Sequence, residues 1–285
     1  MYHMQPISPV LGLEIRGLDL SKKLALETGK ELRQLCCDHS LLVIRGQELS
    51  ESEQLRVAGY FGPVARRNRP PVEKREYVPD PDNPVHLITN QLDAAGKRLG
   101  SLRHGEMLFH SDGCYKPCPD RFTLLYGMEF PSSGGETRFA SLYRPYEQLS
   151  ENMLKKLTQC QALFAYDFTL KDPIAPGSNI DDLMHARHPV LIKNPDTEKI
   201  AVYVNRLMTV QLEAMSSEDS RESLEYLFQL MEAQDNVYIH HWLPGDLLVW
   251  DNLSSAHARN TWPVDEDRLL RRCVVEGVKL AASSE

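Results

Sequence analysis

The chain lacks several features that would assign it to a class at once. No apolar run in its 285 residues is long enough to cross a bilayer, so no membrane helix is expected. The first residues, Met1 to Leu11, carry no basic segment followed by an apolar stretch, so no signal peptide is expected either. No Cys-x-x-Cys pair exists. Of the six cysteines, Cys36 and Cys37 are adjacent, Cys114 and Cys118 flank a short turn, and Cys160 and Cys273 stand alone. That pattern fits neither a structural zinc site nor a disulfide framework, and reduced thiols in a cytoplasm are the simpler expectation. Excess positive charge is also missing: 32 Lys and Arg against 40 Asp and Glu give a net charge of -8, which argues against binding nucleic acid. Internal repeats and low-complexity tracts are absent, and Pro and Gly clusters at Arg69–Pro71, Pro79–Pro84 and Pro131–Gly135 read as loops. One domain over 1–285 is therefore expected.

What remains is an ordinary globular composition, 42% hydrophobic and 25% charged. Helices are expected over Ser50–Phe61, where Ser50 and Glu53 form a capping box, and over Pro145–Leu157 and Ser220–Ala233, where apolar residues recur every three or four. Alternation predicts strands over Phe122–Phe130, Val237–His241, Asp246–Trp250 and Cys273–Leu280, with Phe122, Leu124, Tyr126, Met128 and Phe130 on one face. Short strands separated by turns, with flanking helices, predict a mainly β protein built as a jelly roll.

The chemical clue is Phe109-His110-Ser111-Asp112. On a strand, His110 and Asp112 would share a face and could chelate one ion, with a distant histidine completing a two-His-one-carboxylate triad. Chance alone supplies about 1.4 His-x-acid triplets in a chain with 10 His and 40 acids, and His104-Gly105-Glu106 is a second one here. Context separates them. Thr137, in Gly134-Gly135-Glu136-Thr137, lies 27 residues after His110; Trp250-Asp251-Asn252 precedes His257; Arg268 follows His257 by eleven residues and Arg272 by fifteen. On a strand Arg268, Leu270 and Arg272 share one face and Arg271 takes the other. The competing reading of these arginines is a solvated, salt-bridged strand edge, since Asp265, Glu266 and Asp267 precede them. His240 and His241 are adjacent on a strand, so their rings face opposite sides and they read as structural.

This ordered set, with Gly12–Ile15, Leu18–Leu20, Leu42–Gly46, Phe61-Gly62 and Val202–Asn205, resembles the taurine dioxygenase and 2,4-dichlorophenoxyacetate dioxygenase family over nearly the whole chain. The resemblance implies a double-stranded β-helix of the clavaminate synthase-like type. It also implies Fe(II) held by His110, Asp112 and His257, with O2 and 2-oxoglutarate as co-substrates. It further implies that Thr137 and Arg268 hold the distal carboxylate of 2-oxoglutarate and that Arg272 meets an anionic group of the substrate. Glu106 and Asn90 are further candidates for substrate contact, Glu106 on condition that the strand runs back to it; a surface carboxylate is the alternative. The histidine that taurine dioxygenase carries after its Phe-Gly segment has no counterpart in Pro63–Arg69, so taurine is not the expected substrate. A small anionic or zwitterionic acid is expected, oxidised by hydroxylation, desaturation or C–heteroatom cleavage. No nucleic acid or membrane partner is expected, and a homo-oligomer is. The alternatives are a zinc hydrolase or isomerase on a jelly roll and a non-catalytic binding protein of the same fold.

Overall fold

The computed structural model describes residues 2–66, 80, 82–102, 104–167 and 172–283. Of the Pro63–Arg69 segment, which departs from the taurine dioxygenase pattern, Arg67, Asn68 and Arg69 lie outside the described residues. Two sheets face each other. The larger has seven strands in the order His3–Pro6, Leu13–Arg16, Leu41–Ile44, Leu247–Asp251, Phe122–Glu129, Leu269–Val275 and His86–Thr89. The smaller has four, in the order Val237–His240, Thr137–Ser141, Ser255–Arg259 and Met107–His110. All these pairings are antiparallel except Leu13–Arg16 with Leu41–Ile44. Beyond the first three strands of the larger sheet, neighbours in both sheets are distant in sequence, which gives the double-stranded β-helix expected.

The central strands of the larger sheet, Leu41–Ile44 and Leu247–Asp251 above all, have two buried faces. Phe122, Leu124 and Tyr126 face outward with Leu42, Ile44, Val249 and Cys273, under the helices Leu26–His39 and Glu51–Ala58. Leu125, Leu248, Trp250 and Leu270 face inward against Phe139 of the smaller sheet. Burying both faces explains the continuous apolar runs, at about 25 cal/mol per Å² of apolar surface removed from water. A third cluster, including Phe164, Tyr203, Leu227 and Phe228, packs the Ser217–Met231 helix and the three-stranded sheet Thr209–Leu212, Gln161–Tyr166, Met184–Pro189 against the smaller sheet.

Several sequence expectations need correction. The Phe122 strand ends at Glu129, and a register shift opposite Leu269 and Leu270 breaks the alternation. Met128 is exposed, and Phe130 packs into the inner cluster, not the outer one. The expected Pro145–Leu157 helix is two helices, Tyr143–Glu147 and Glu151–Leu157, because Ser150 takes extended backbone and caps the second by accepting from the Met153 N–H. The last strand is Leu269–Val275 and stops well short of Leu280. The Leu26–His39 helix was not foreseen: its N-cap, Ala25, offers no side-chain acceptor, and Gly29 interrupts it. That glycine is needed, since a Cβ there would meet the Tyr60 ring at 2.6 Å. The capping box stands as expected, with Ser50 and Glu53 each accepting the other's backbone N–H.

Candidate active site

A cavity of about 160 Å³ opens between the two sheets. His110 ends one strand of the smaller sheet, Asp112 sits in the turn that follows, and His257 lies on the neighbouring strand directly opposite His110. Their ligand atoms all fall within 4.8 Å of one another. His110 Nε2 and His257 Nε2 are each 4.0 Å from an Asp112 carboxylate oxygen.

The surroundings prepare these three groups as ligands. His110 Nδ1 lies 2.9 Å from the Leu108 carbonyl; donation there leaves the Nε2 lone pair facing the cavity. Burial pushes the pKa of both His110 and His257 below the ordinary imidazole value, so both rings are neutral near pH 7. Burial works in the opposite sense on Asp112, but Arg272, His257, His110 and a hydrogen bond from Thr123 outweigh it and hold the carboxyl well below its usual range. Thr123 Oγ1 donates to Asp112 Oδ2 at 2.6 Å. Asn252 Oδ1 accepts from the Asp112 backbone N–H and the Trp250 indole, while Asn252 Nδ2 donates to Thr123. Asp251 anchors the same turn by accepting from Arg121, Asn194 and the Leu253 N–H. The Trp-Asp-Asn segment is thus the frame that aims the Asp112 carboxylate toward the two imidazoles. Two neutral imidazoles and one carboxylate in this arrangement suit a non-haem ferrous ion and leave positions for other ligands.

Thr137 and Arg268, both buried, line the same cavity. Thr137 Oγ1 accepts the Trp242 indole N–H at 3.0 Å. Arg268 precedes its strand; its backbone N–H donates to Asn90 Oδ1 at 2.9 Å and its Nε to the Gly135 carbonyl at 3.3 Å. Burial, and then repulsion from Arg259, disfavour its charge. Among the described residues no carboxylate pairs with Arg268. The Gly134-Gly135 pair takes φ of +75° and +70°, and a Cβ on Gly134 would lie 2.3 Å from the Thr261 carbonyl oxygen, so the loop can close over Arg268 only with glycine there.

Arg272 also lines the cavity, with Nη2 2.8 Å from Asp112 Oδ1. Arg271 points away, as the alternation required, and donates to Gln54. His240 is buried and His241 exposed, on opposite sides.

Glu106, Asn90 and His104 lie elsewhere. One extra residue sits between Met107 and His110 relative to the opposing strand, where His257 pairs with His110 and Arg259 with Met107. This bulge resets the alternation, so Met107 faces the cavity and Glu106 does not. Glu106 is exposed and pairs with Arg138. Asn90 is not a wall residue; it holds the backbone of Arg268 and donates to the Glu266 carbonyl. His104 rests against Trp262, with Nε2 2.7 Å from its carbonyl oxygen. Sequence reasoning missed Thr123 and Trp242, which carry no motif. It also missed Arg259, which a period of two from His257 would have found.

Comparison with known proteins agrees over most of the chain. Residues 3–274 match the family described as "Taurine catabolism dioxygenase TauD, TfdA family". Pentalenolactone F synthase of Streptomyces avermitilis is 29% identical, the match covering 93% of this chain and 90% of that one. The alpha-ketoglutarate-dependent 2,4-dichlorophenoxyacetate dioxygenase of Cupriavidus pinatubonensis is 26% identical, over 94% and 95%. A taurine dioxygenase structure from Burkholderia xenovorans superposes with a TM-score of 0.80 at 21% identity, covering 99% of this chain and 93% of that one, and so shares the fold. The chain belongs to the TauD/TfdA family, and it is an enzyme of the 2-oxoglutarate-dependent dioxygenases, which work with Fe(II), 2-oxoglutarate and O2.

Proposed function

We propose that this enzyme oxidises a small, largely apolar substrate with one anionic end, at an iron held by His110, Asp112 and His257. The observation that carries the reading is the convergence of these three ligand atoms within 4.8 Å in a cavity that also contains the buried Arg268. With 2-oxoglutarate and O2, bound iron supplies the oxidising power, releasing succinate and carbon dioxide as the substrate is oxidised.

The protein's part is positioning and charge. Arg268 presents a buried, planar guanidinium that suits the distal carboxylate of 2-oxoglutarate in a charge-assisted pair. The Trp242 indole occupies one lone pair of Thr137 Oγ1, which leaves the Thr137 hydroxyl proton available to the same carboxylate. Asn90 fixes the Arg268 backbone.

The substrate end is defined by Ile88, Leu102, Met107, Tyr115 and Met208, which are apolar or aromatic, and by Arg272. Asp112 is the sole carboxylate among the described residues lining the cavity. With Glu106 outside, no carboxylate other than Asp112 lines the described cavity to pair with an ammonium, which favours a simple anion over a zwitterion. The relative named for 2,4-dichlorophenoxyacetate acts on such an apolar anion.

The test is to incubate enzyme, Fe(II), ascorbate and 2-oxoglutarate with a panel of aryl and alkyl carboxylates, sulfonates and sulfates. Succinate release and an oxidised product are followed by mass spectrometry. Succinate formation stimulated by apolar anions supports the reading; stimulation by amines or neutral compounds alone would overturn it. Family membership removes the zinc hydrolase and non-catalytic alternatives.

A further inference from the structure

We infer that Arg259 is a second arginine for the distal carboxylate of 2-oxoglutarate, acting beside Arg268 and Thr137. The inference rests on the reading of Arg268 and Thr137 given above and extends it by a residue of this chain.

Four observations converge. Arg259 lines the cavity, on the same strand face as His257. In the register of the smaller sheet it stands directly opposite Thr137, so the two side chains are cross-strand neighbours at the same depth. Its guanidinium lies over the Trp262 ring at 5.0 Å, and that of Arg268 lies 6.0 Å from the same ring. Finally, one end of Arg259 is held, Nη2 donating to the Gly105 carbonyl at 2.7 Å.

The charges in the cavity then sort themselves. Asp112 is the one acid on the wall and is matched by Arg272. Arg259 and Arg268 line the same cavity as Thr137, so two guanidiniums and a hydroxyl are offered to one ligand there. Arg259 repels the charge of Arg268, and a carboxylate that reached both guanidiniums would relieve that repulsion. Its two oxygens offer about four acceptor positions, enough for two guanidiniums and a hydroxyl.

The experiment measures binding without turnover, by calorimetry on enzyme loaded with Mn(II). The ligands are 2-oxoglutarate and 2-oxopentanoate, which keeps the chain length and loses the distal carboxylate. The proteins are wild type, Arg259→Gln, Arg259→Lys and Arg268→Ala, each checked for Mn(II) stoichiometry and circular dichroism. Arg259→Gln is expected to weaken 2-oxoglutarate by roughly 10- to 100-fold while leaving 2-oxopentanoate within about twofold. Arg259→Lys is expected to recover part of the loss. If Arg259→Gln binds 2-oxoglutarate like wild type while Arg268→Ala does not, the inference fails and the assignment of Arg268 stands. Equal weakening of both oxo acids would place Arg259 in general support of the site and also overturn the inference. If wild type does not distinguish the two oxo acids and Arg268→Ala is neutral, the underlying reading itself fails. Should Arg259→Gln not fold, Arg259→Lys is read alone, and an unchanged 2-oxoglutarate affinity there overturns the proposal.

Discussion

Arg272 reaches the carboxylate of Asp112 directly, Nη2 to Oδ1 at 2.8 Å, while its buried Nε has no hydrogen-bond partner among the described residues. One cation therefore borders both the carboxylate of the His110–Asp112–His257 cluster and the cavity beside it. Arg272→Ala should lower kcat/KM for an anionic substrate by about 30- to 1,000-fold, the equivalent of losing a desolvated charge pair. The affinity for 2-oxoglutarate should change by less than about threefold, because Arg268 is untouched. Steady-state kinetics with calorimetry separate the two effects, and a 2-oxoglutarate defect as large as the substrate defect would count against the assignment.

Metal binding should depend on the triad and not on the second His-x-acid triplet. His110→Ala or Asp112→Ala should abolish stoichiometric iron and oxygenase activity while circular dichroism stays native. His104→Ala should retain iron, since that ring is engaged with the Trp262 carbonyl and stands outside the cluster. Iron quantification on dialysed protein decides, and full occupancy in Asp112→Ala would rule the triad out.

Removing Arg268 should weaken 2-oxoglutarate by about one to three orders of magnitude, a cost of roughly 2–5 kcal/mol. Trp242→Phe should have a smaller effect, about fivefold, because it removes only the indole hydrogen bond that orients Thr137. The same substitution should leave Mn(II) affinity unchanged. A Trp242→Phe enzyme with wild-type 2-oxoglutarate affinity would remove the indole from that role.

Acid should destabilise the fold starting near the ordinary imidazole pKa. Burial lowers the pKa of His110, His188, His240 and His257, so below about pH 6.5 the unfolded chain takes up protons that the folded chain refuses. Stability from these groups is complete above pH 6.5 and is lost as pH falls toward their depressed values. Asp112, also lowered, adds a loss of the same sign below about pH 4. Tm measured on metal-free protein should therefore fall between pH 7 and pH 5. A flat profile over that interval would contradict the neutral, buried assignment.

The parts of the site that were legible in the sequence are those where chemistry demands a residue type. A ferrous ion needs imidazole and carboxylate at set intervals, and the loop over Arg268 needs two glycines in left-handed backbone. Two strands of the larger sheet, Phe122–Glu129 and Leu247–Asp251, were legible as short apolar, strand-like stretches, whereas His3–Pro6, Leu13–Arg16, Leu41–Ile44 and His86–Thr89 were not read as strands. Elsewhere the signal was tertiary. Thr123 and Trp242 matter only through the partners that folding brings to them. The Leu26–His39 helix hides because its glycine serves a packing contact with Tyr60 and weakens the helical pattern. Glu106 was misplaced because strict alternation was carried through a bulge that no residue in Glu106–His110 announces.

That bulge has a consequence for how the enzyme's chamber can be altered. The inserted residue acts as a phase shift: positions on its N-terminal side are read into the chamber with the opposite parity from those beyond it. Met107 is therefore the lever on chamber shape, while changes at 106 fall on the outer surface, where Glu106 and Arg138 pair. Deleting one residue between Met107 and His110 would return the strand to phase, turning residue 107 outward and residue 106 inward. The result would be an acidic wall near the metal and a preference for cationic substrates, reached by shortening the chain and without a single change of side chain.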